Sequence, residues 1–270
     1  MRVWITGASS GIGEACALRW AAKGASLVLT SSSRDKLDVV ASKCRAAASV
    51  AGAGSCDTVP GVCVLPYDFA GLEGVESLCS DAWQAFGGLD VVFLNAGISQ
   101  RTSVEDTSME MVRKIMEIDY FAPVAIAKAV LPRFLAAGGG HIAVTSSIAG
   151  RFGFPLRCGY SSAKHALYGF FESLAAECSG RGIKVTIVCP GRVRTGISLR
   201  ALDKGGAAYG KMDPGQASGL DAGKAARKIV GAIEKGRREV LVGRKELLMV
   251  YIKRFFPGLC ARISRRIKPV

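Results

Sequence analysis

The chain has 270 residues, 49% of them hydrophobic, and a net charge of +14, which is ample core material for one α/β domain. The nine cysteines are odd in number and lack metal spacing, there are only two histidines, and no run reaches the ~18 apolar residues of a membrane span. A disulfide scaffold, a His-based metal centre and an integral membrane protein are therefore not expected, and the thiols read as reduced.

The elements alternate strand and helix. Val3–Thr6 is a short apolar strand, and with a strand this early no targeting segment is expected. It runs into Thr6-Gly7-Ala8-Ser9-Ser10-Gly11-Ile12-Gly13, then a helix over Glu14–Lys23 closed by Gly24. Ala25–Thr30 is a second buried strand, and Asp35–Ala48 a helix with Ser32 or Ser33 as N-cap. Residues 49–60, rich in Gly, Ala and Ser, read as an exposed loop. Val62–Tyr67 is strand three, Leu72–Phe86 a helix, and Leu89–Leu94 strand four. Met109–Leu135 is a long helical region with a bend at Pro123, followed by strand five at Gly140–Thr145. Ser161–Cys178 is a helix, Lys184–Val188 strand six, Ala222–Lys235 a helix and Glu239–Val242 a last strand. Buried strands alternating with helices predict a doubly wound parallel sheet of about seven strands.

Two stretches carry chemistry. Glycines in the first strand-to-helix turn let the backbone approach a pyrophosphate at the helix N-terminus. Their spacing here is G-x-x-x-G-x-G rather than the general G-x-G-x-x-G. The second stretch holds Ser147, then Tyr160 and Lys164. On a helix the last two share a face, and a fixed cation beside a phenol favours its charged form.

Four motifs in order resemble the short-chain dehydrogenase/reductase family: the glycine loop, Asn95-Ala96-Gly97, Ser147 with Tyr160 and Lys164, and Pro190-Gly191. The resemblance spans roughly residues 2–243. The wording of Asn95–Arg101 and Gly159–Leu167 is nearest the branch of the member-seven dehydrogenase/reductases and their bacterial relatives. It implies a Rossmann-type single catalytic domain over 1–243, with a tail at 244–270. It also implies an enzyme that moves a hydride between a nicotinamide cofactor and a carbonyl or alcohol. Gly7, Ser9, Ser10, Gly11, Ile12 and Gly13 would hold the pyrophosphate and adenosine side, and Asp68 the adenine amine. Asn95, Ala96 and Gly97 would line the adenine ribose, while Pro190, Gly191, Val193 and Thr195 frame the nicotinamide. Ser147 would hold the substrate oxygen, Tyr160 exchange its proton, and Lys164 bind the nicotinamide ribose and tune the tyrosine. The family's fourth catalytic residue is an asparagine; the matching position here is Asp119, expected to help hold a water on the lysine.

At the end of strand two, Thr30-Ser31-Ser32-Ser33-Arg34 offers no carboxylate to repel a 2′-phosphate. The branch usually has arginine where Ser32 stands. Ser32 and Arg34 are the expected phosphate ligands, so NADP(H) is preferred and NAD(H) is the alternative. Cys158 and Cys189 flank the site and are expected to line it. Residues 191–221, Gly-rich, should form a mobile substrate-covering loop. No nucleic-acid partner is expected.

The basic excess sits at one end: residues 1–190 hold 17 Lys/Arg against 16 Asp/Glu, and residues 191–270 hold 19 against 6. After Pro257-Gly258, Leu259, Cys260, Ile263 and Ile267 would share one helical face, with Arg262, Arg265, Arg266 and Lys268 on the other. This pattern suits either peripheral contact with an anionic membrane or docking on the enzyme's own surface or a dimer mate. The expectation is a cytoplasmic protein peripheral to a membrane, acting on a hydrophobic, lipid-like substrate, and the resemblance implies a homodimer or homotetramer. The alternative is a catalytically silent dinucleotide-binding or membrane-attached scaffold.

Overall fold

The computed structural model describes residues 1–50 and 61–267; most of the predicted 49–60 loop and Lys268 lie outside them. Seven strands form one parallel sheet: β1 (Arg2–Thr6), β2 (Ser26–Thr30), β3 (Val62–Val64), β4 (Val91–Leu94), β5 (Gly140–Thr145), β6 (Ile183–Pro190) and β7 (Glu239–Val242). Their order is β3-β2-β1-β4-β5-β6-β7. The winding reverses between β1 and β4, which opens a crevice at the carboxyl ends of those strands, where open α/β sheets bind ligands.

Helices cover both faces: α1 (Gly11–Ala21), α2 (Arg34–Val50), α3 (Val75–Gln84), α4 (Met109–Met116), α5 (Ala122–Ala136), α6 (Cys158–Glu177), the one-turn α7 (Pro214–Ala217), α8 (Ala222–Glu234), α9 (Leu248–Phe255) and α10 (Pro257–Ser264). Sheet residues alternate sides, so Val3 and Ile5 join Trp20, Leu37 and Ile229 in one buried layer. Trp4, Val92 and Ile142 join Ile126, Phe134 and Phe171 in the other. This is why the strands read as unbroken apolar runs rather than alternating ones.

Most boundaries shift by one to three residues from the sequence reading, and three of the differences bear on the site. The regular pairing of strand three ends at Val64, although Leu65 and Tyr67 still donate to Leu29 and Ser31; Pro66 lies between them on the side facing away from β2, where an edge strand needs no donor. The long helix is interrupted by a π turn over Glu117–Phe121. Pro123 cannot donate to the carbonyl of Asp119, and the Ala122 N–H bonds instead to Glu117. Helix α6 begins three residues earlier than the spacing suggested, so Tyr160 lies in its first turn.

The segment after β7 folds back on the domain. Cys260 is buried with Ile148, Phe152 and Cys189, and Leu247, Met249, Val250 and Ile252 pack around them. The docked-tail alternative therefore describes the inner face of α9 and α10. Among the described residues no helix is long and apolar enough to cross a membrane.

Candidate active site

Side chains bolt the crevice open. Thr6 Oγ1 accepts from the backbone N–H groups of Asn95 and Ala96 at 3.0 and 3.1 Å. The Asn95 amide donates to the carbonyls of Thr6 and Gly7 and accepts from the Thr145 hydroxyl. One asparagine thus ties together the ends of β1, β4 and β5. Gly13 belongs to this bolt and not to the cavity wall: a Cβ there would meet the Gly7 carbonyl oxygen at 2.2 Å and Asn95 Nδ2 at 2.8 Å. The role the structure gives it is close packing of helix on strand.

The crevice is a cavity of about 850 Å³. Its lining runs from Gly7, Ser9, Ser10, Gly11 and Ile12 of the glycine loop, with Ser32 and Asp68, past Asn95, Ala96, Gly97, Pro190, Gly191, Val193 and Thr195 to Ser147, Tyr160 and Lys164. Gly7 and Gly11 have φ near +65° and +62°, a backbone that favours glycine. Asp68 Oδ1 accepts from the Ala70 N–H, the turn-forming bond that holds its carboxylate in place. Ser31 Oγ, buried in the same wall, has no hydrogen-bond partner among the described residues, as a ligand-facing hydroxyl would.

Arg34 is not in that wall, whereas Lys36 is. Helix α2 begins at Arg34, and residues two apart on a helix point roughly opposite ways. Cys158 and Cys189 are not in it either. The Cys158 thiol lies between Gln100 and Thr107, and burial pushes the Cys189 thiol up to about 12.

At the other end, Ser147 caps a short 3-10 turn: its Oγ accepts from the Ala149 N–H at 3.1 Å. Lys164 is buried, donates to the Thr145 carbonyl at 2.9 Å, and has its ammonium 5.7 Å from the Tyr160 ring centre. Asp119 is fully buried; Oδ1 accepts from the Ile98 N–H at 2.7 Å, and Oδ2 lies 3.1 Å from the Lys164 ammonium. Burial pushes the Asp119 carboxyl above the usual carboxylate range, against the pull of Lys164. Gly97 leaves room for the pair, since a Cβ there would meet both charged groups within 3.3 Å.

Two site-building residues escaped the sequence reading. Gln100 Oε1 accepts from the Tyr160 N–H at 3.1 Å, fixing the first turn of α6, and Gly159 lacks a Cβ to make room for it. Gln216 donates to the Val193 carbonyl and to Thr195 Oγ1, bracing the turn after β6. Neither has a spacing signal, because each acts across an element boundary. Residues 191–221 are also more anchored than a free lid. Leu202 and Leu220 bridge to Gln100 and Val193, and Asp213 is buried against Arg101.

A glycine-loop crevice lined also by a serine, a tyrosine and a lysine defines a class of nucleotide-dependent oxidoreductases, and the comparisons agree. The family model described as short chain dehydrogenase matches residues 1–204. A mouse protein named dehydrogenase/reductase SDR family member 7B is 37% identical over 97% of this chain and 79% of its own length. A Drosophila melanogaster protein, dehydrogenase/reductase SDR family protein 7-like, is 34% identical over 95% and 77%. Among solved structures, an alcohol dehydrogenase from Thermococcus sibiricus complexed with 5-hydroxy-NADP superposes with a TM-score of 0.73 at 26% identity, covering 90% of this chain and 96% of that one. A short-chain dehydrogenase/reductase from Burkholderia phymatum in complex with NAD superposes at 0.80 and 24% identity, over 100% and 96%, a likeness of fold. The chain belongs to the short-chain dehydrogenase/reductase family of NAD(P)-dependent oxidoreductases.

Proposed function

We propose that the protein transfers a hydride between NADP(H) and a carbonyl or alcohol group of a hydrophobic substrate, with Ser147, Tyr160 and Lys164 as its reacting set. The observation that supports this reading is that all three line the same cavity as the glycine loop. A nicotinamide bound there supplies or accepts the hydride. Tyr160, in the first turn of α6, is placed to give the substrate oxygen a proton or take one from it. Ser147 Oγ has a hydroxyl hydrogen to offer the same oxygen once its long 3.4 Å contact with the Pro190 carbonyl is exchanged. Lys164 brings positive charge beside the phenol and donors toward a ribose. Asp119 holds that ammonium from behind. Ile98, Ile148, Phe154 and Ile197 in the wall favour an apolar substrate.

For the cofactor, the absence of a carboxylate after β2 together with Ser31, Ser32 and Lys36 in the wall favours NADP(H) over NAD(H). Lys36 takes the part assigned to Arg34 in the sequence. Lys36→Glu is expected to weaken NADPH binding about tenfold while changing NADH binding far less, and Arg34→Asp to change either less than about threefold. Titration of cofactor fluorescence measures both; an equal loss of the two cofactors in Lys36→Glu contradicts the assignment.

The outer face of α9 and α10 exposes Leu248, Tyr251, Phe255, Phe256 and Leu259 among Lys253, Arg254, Arg262, Arg265 and Arg266. That combination supports peripheral contact with an anionic bilayer. Exposed Met109 and Phe121, on the α4–α5 side, favour a self-association surface. The whole reading is tested by a panel of hydrophobic ketones with NADPH: consumption of NADPH with formation of the alcohol supports it. NADPH binding without turnover of any ketone or alcohol favours the silent scaffold.

A further inference from the structure

The substrate end of the cavity carries a charge imbalance that the reacting set does not use. Arg101 and Arg157 both reach the single carboxylate of Asp213, and all three line the cavity. Arg101 is nearly saturated, with four of its five N–H groups engaged: it donates to both oxygens of Asp213, to Ser99 Oγ and to the Gln100 carbonyl. One arginine on one aspartate suffices to pin the 191–221 segment to the core. Arg157 is surplus to that task. Its side chain is only 17% exposed, and its one hydrogen bond among the described residues runs from Nη2 to Asp213 Oδ2 at 3.1 Å.

The backbone around Arg157 is also set up unusually. Leu156, just before it, is the only non-glycine residue with positive φ (+60°) among the described residues, and such outliers gather at functional sites. Arg157 is the N-cap residue of α6, and Tyr160 follows three residues later. Burial, reinforced by the charge of Arg101, pushes the Arg157 guanidinium down to about 10, as expected for a cation short of a counter-charge.

We propose that Arg157 is a binding site for a carboxylate on the substrate, so that the enzyme acts on oxo acids or the matching hydroxy acids with an apolar chain. A buried and a half-buried arginine against one aspartate leave one positive charge, which a monoanion balances; Arg192 and Arg200, which also line the cavity, are exposed and screened by solvent. Arg157 has donors left for a carboxylate, the geometry an arginine fork matches. Reduction adds a hydride from the reduced cofactor at the carbonyl carbon and the Tyr160 proton at its oxygen. The products are the hydroxy acid and the oxidised cofactor, and the carboxylate is unchanged. This inference rests on the oxidoreductase reading and narrows its substrate class.

The test compares NADPH-dependent reduction of apolar oxo acids, with the carbonyl at increasing distance from the carboxylate, against reduction of their methyl esters. In the native enzyme at least one acid is expected to exceed its ester about tenfold in kcat/KM. Arg157→Gln is expected to lower the acid's kcat/KM about tenfold, chiefly through KM, and the ester's by much less. Arg157→Lys should restore part of the difference. Should Arg157→Gln fail to fold, the native enzyme still decides: a saturated carboxylate of the same length should compete against ester reduction. Tyr160-dependent reduction of the esters as good as that of every acid, or an equal loss of both in Arg157→Gln, overturns the carboxylate site and leaves the oxidoreductase reading standing. Reduction of neither acid nor ester, with no effect of the carboxylates on bound-NADPH fluorescence, overturns both.

Discussion

Lys164 sits between two oxygens of unequal charge, the Thr145 carbonyl and the Asp119 carboxylate. Replacing Asp119 by asparagine keeps the shape but not both contacts. An amide that accepts from the Ile98 N–H turns its NH2 toward the ammonium, and the reverse orientation sets two N–H groups against each other. The buried ammonium then lacks a counter-charge, a loss on the order of 3 kcal/mol for a broken buried pair. Asp119→Asn is therefore expected to lower Tm measurably. Activity should stay within a few-fold, since Thr145 still holds the lysine in place. Complete loss of turnover in a folded variant would show that the charge itself takes part in the reaction. Differential scanning fluorimetry with steady-state rates on one preparation separates the two effects.

At the scale of elements, the parallel pair β5–β6 carries its own titratable group. His141 is buried against Thr186, with Nε2 2.8 Å from the hydroxyl, and burial holds its imidazole down at about 4. The unfolded chain binds the proton near the ordinary value of 6.5, so the unfolded state takes up more protons between those values. Stability is full above about pH 6.5 and falls as pH drops toward 4, by roughly 3 kcal/mol at ~1.4 per unit. Urea unfolding across that range in the native protein and in His141→Gln checks this. The native midpoint should fall more steeply, and parallel curves would contradict it. The parallel sheet and the order of its motifs were legible in the sequence because buried strands are apolar on both sides and the glycine turns are local. The π turn at Asp119 was legible only as a bend at Pro123, because which backbone bond gives way depends on what Asp119 and Lys164 need. That Lys36 lines the cavity and Arg34 does not was not legible, because the exact start of a helix decides which side chain faces it. Gln100, Gln216 and the Arg101–Asp213–Arg157 cluster join residues 56 to 112 positions apart, or bridge separate loops, and no local pattern encodes them.

At the scale of the molecule, the tail is built into the site's back wall. Glu246 accepts from the backbone N–H groups of Arg192 and Arg244, and both Gly191 and Gly243 leave it room by lacking a Cβ. Cys260 packs behind the turn that carries Ser147. Removing residues 246–270 should thus cost both lipid binding and stability, whereas replacing the outward Phe255 and Phe256 by serine should cost lipid binding alone. Co-sedimentation with vesicles of neutral and of anionic lipid reads the first property and thermal melting the second. Unchanged sedimentation of the Phe255→Ser/Phe256→Ser variant with anionic vesicles would defeat the membrane contact. In the proposed reaction Tyr160 is the proton-exchanging group. The most direct test is transfer of deuterium from NADPH labelled at the nicotinamide to the carbon of a reduced ketone, in the native enzyme and in Tyr160→Phe. Labelled alcohol is expected from the native enzyme. The variant is expected to be at least about 100-fold slower, with NADPH still bound. Equal labelling by both proteins would contradict that role of Tyr160.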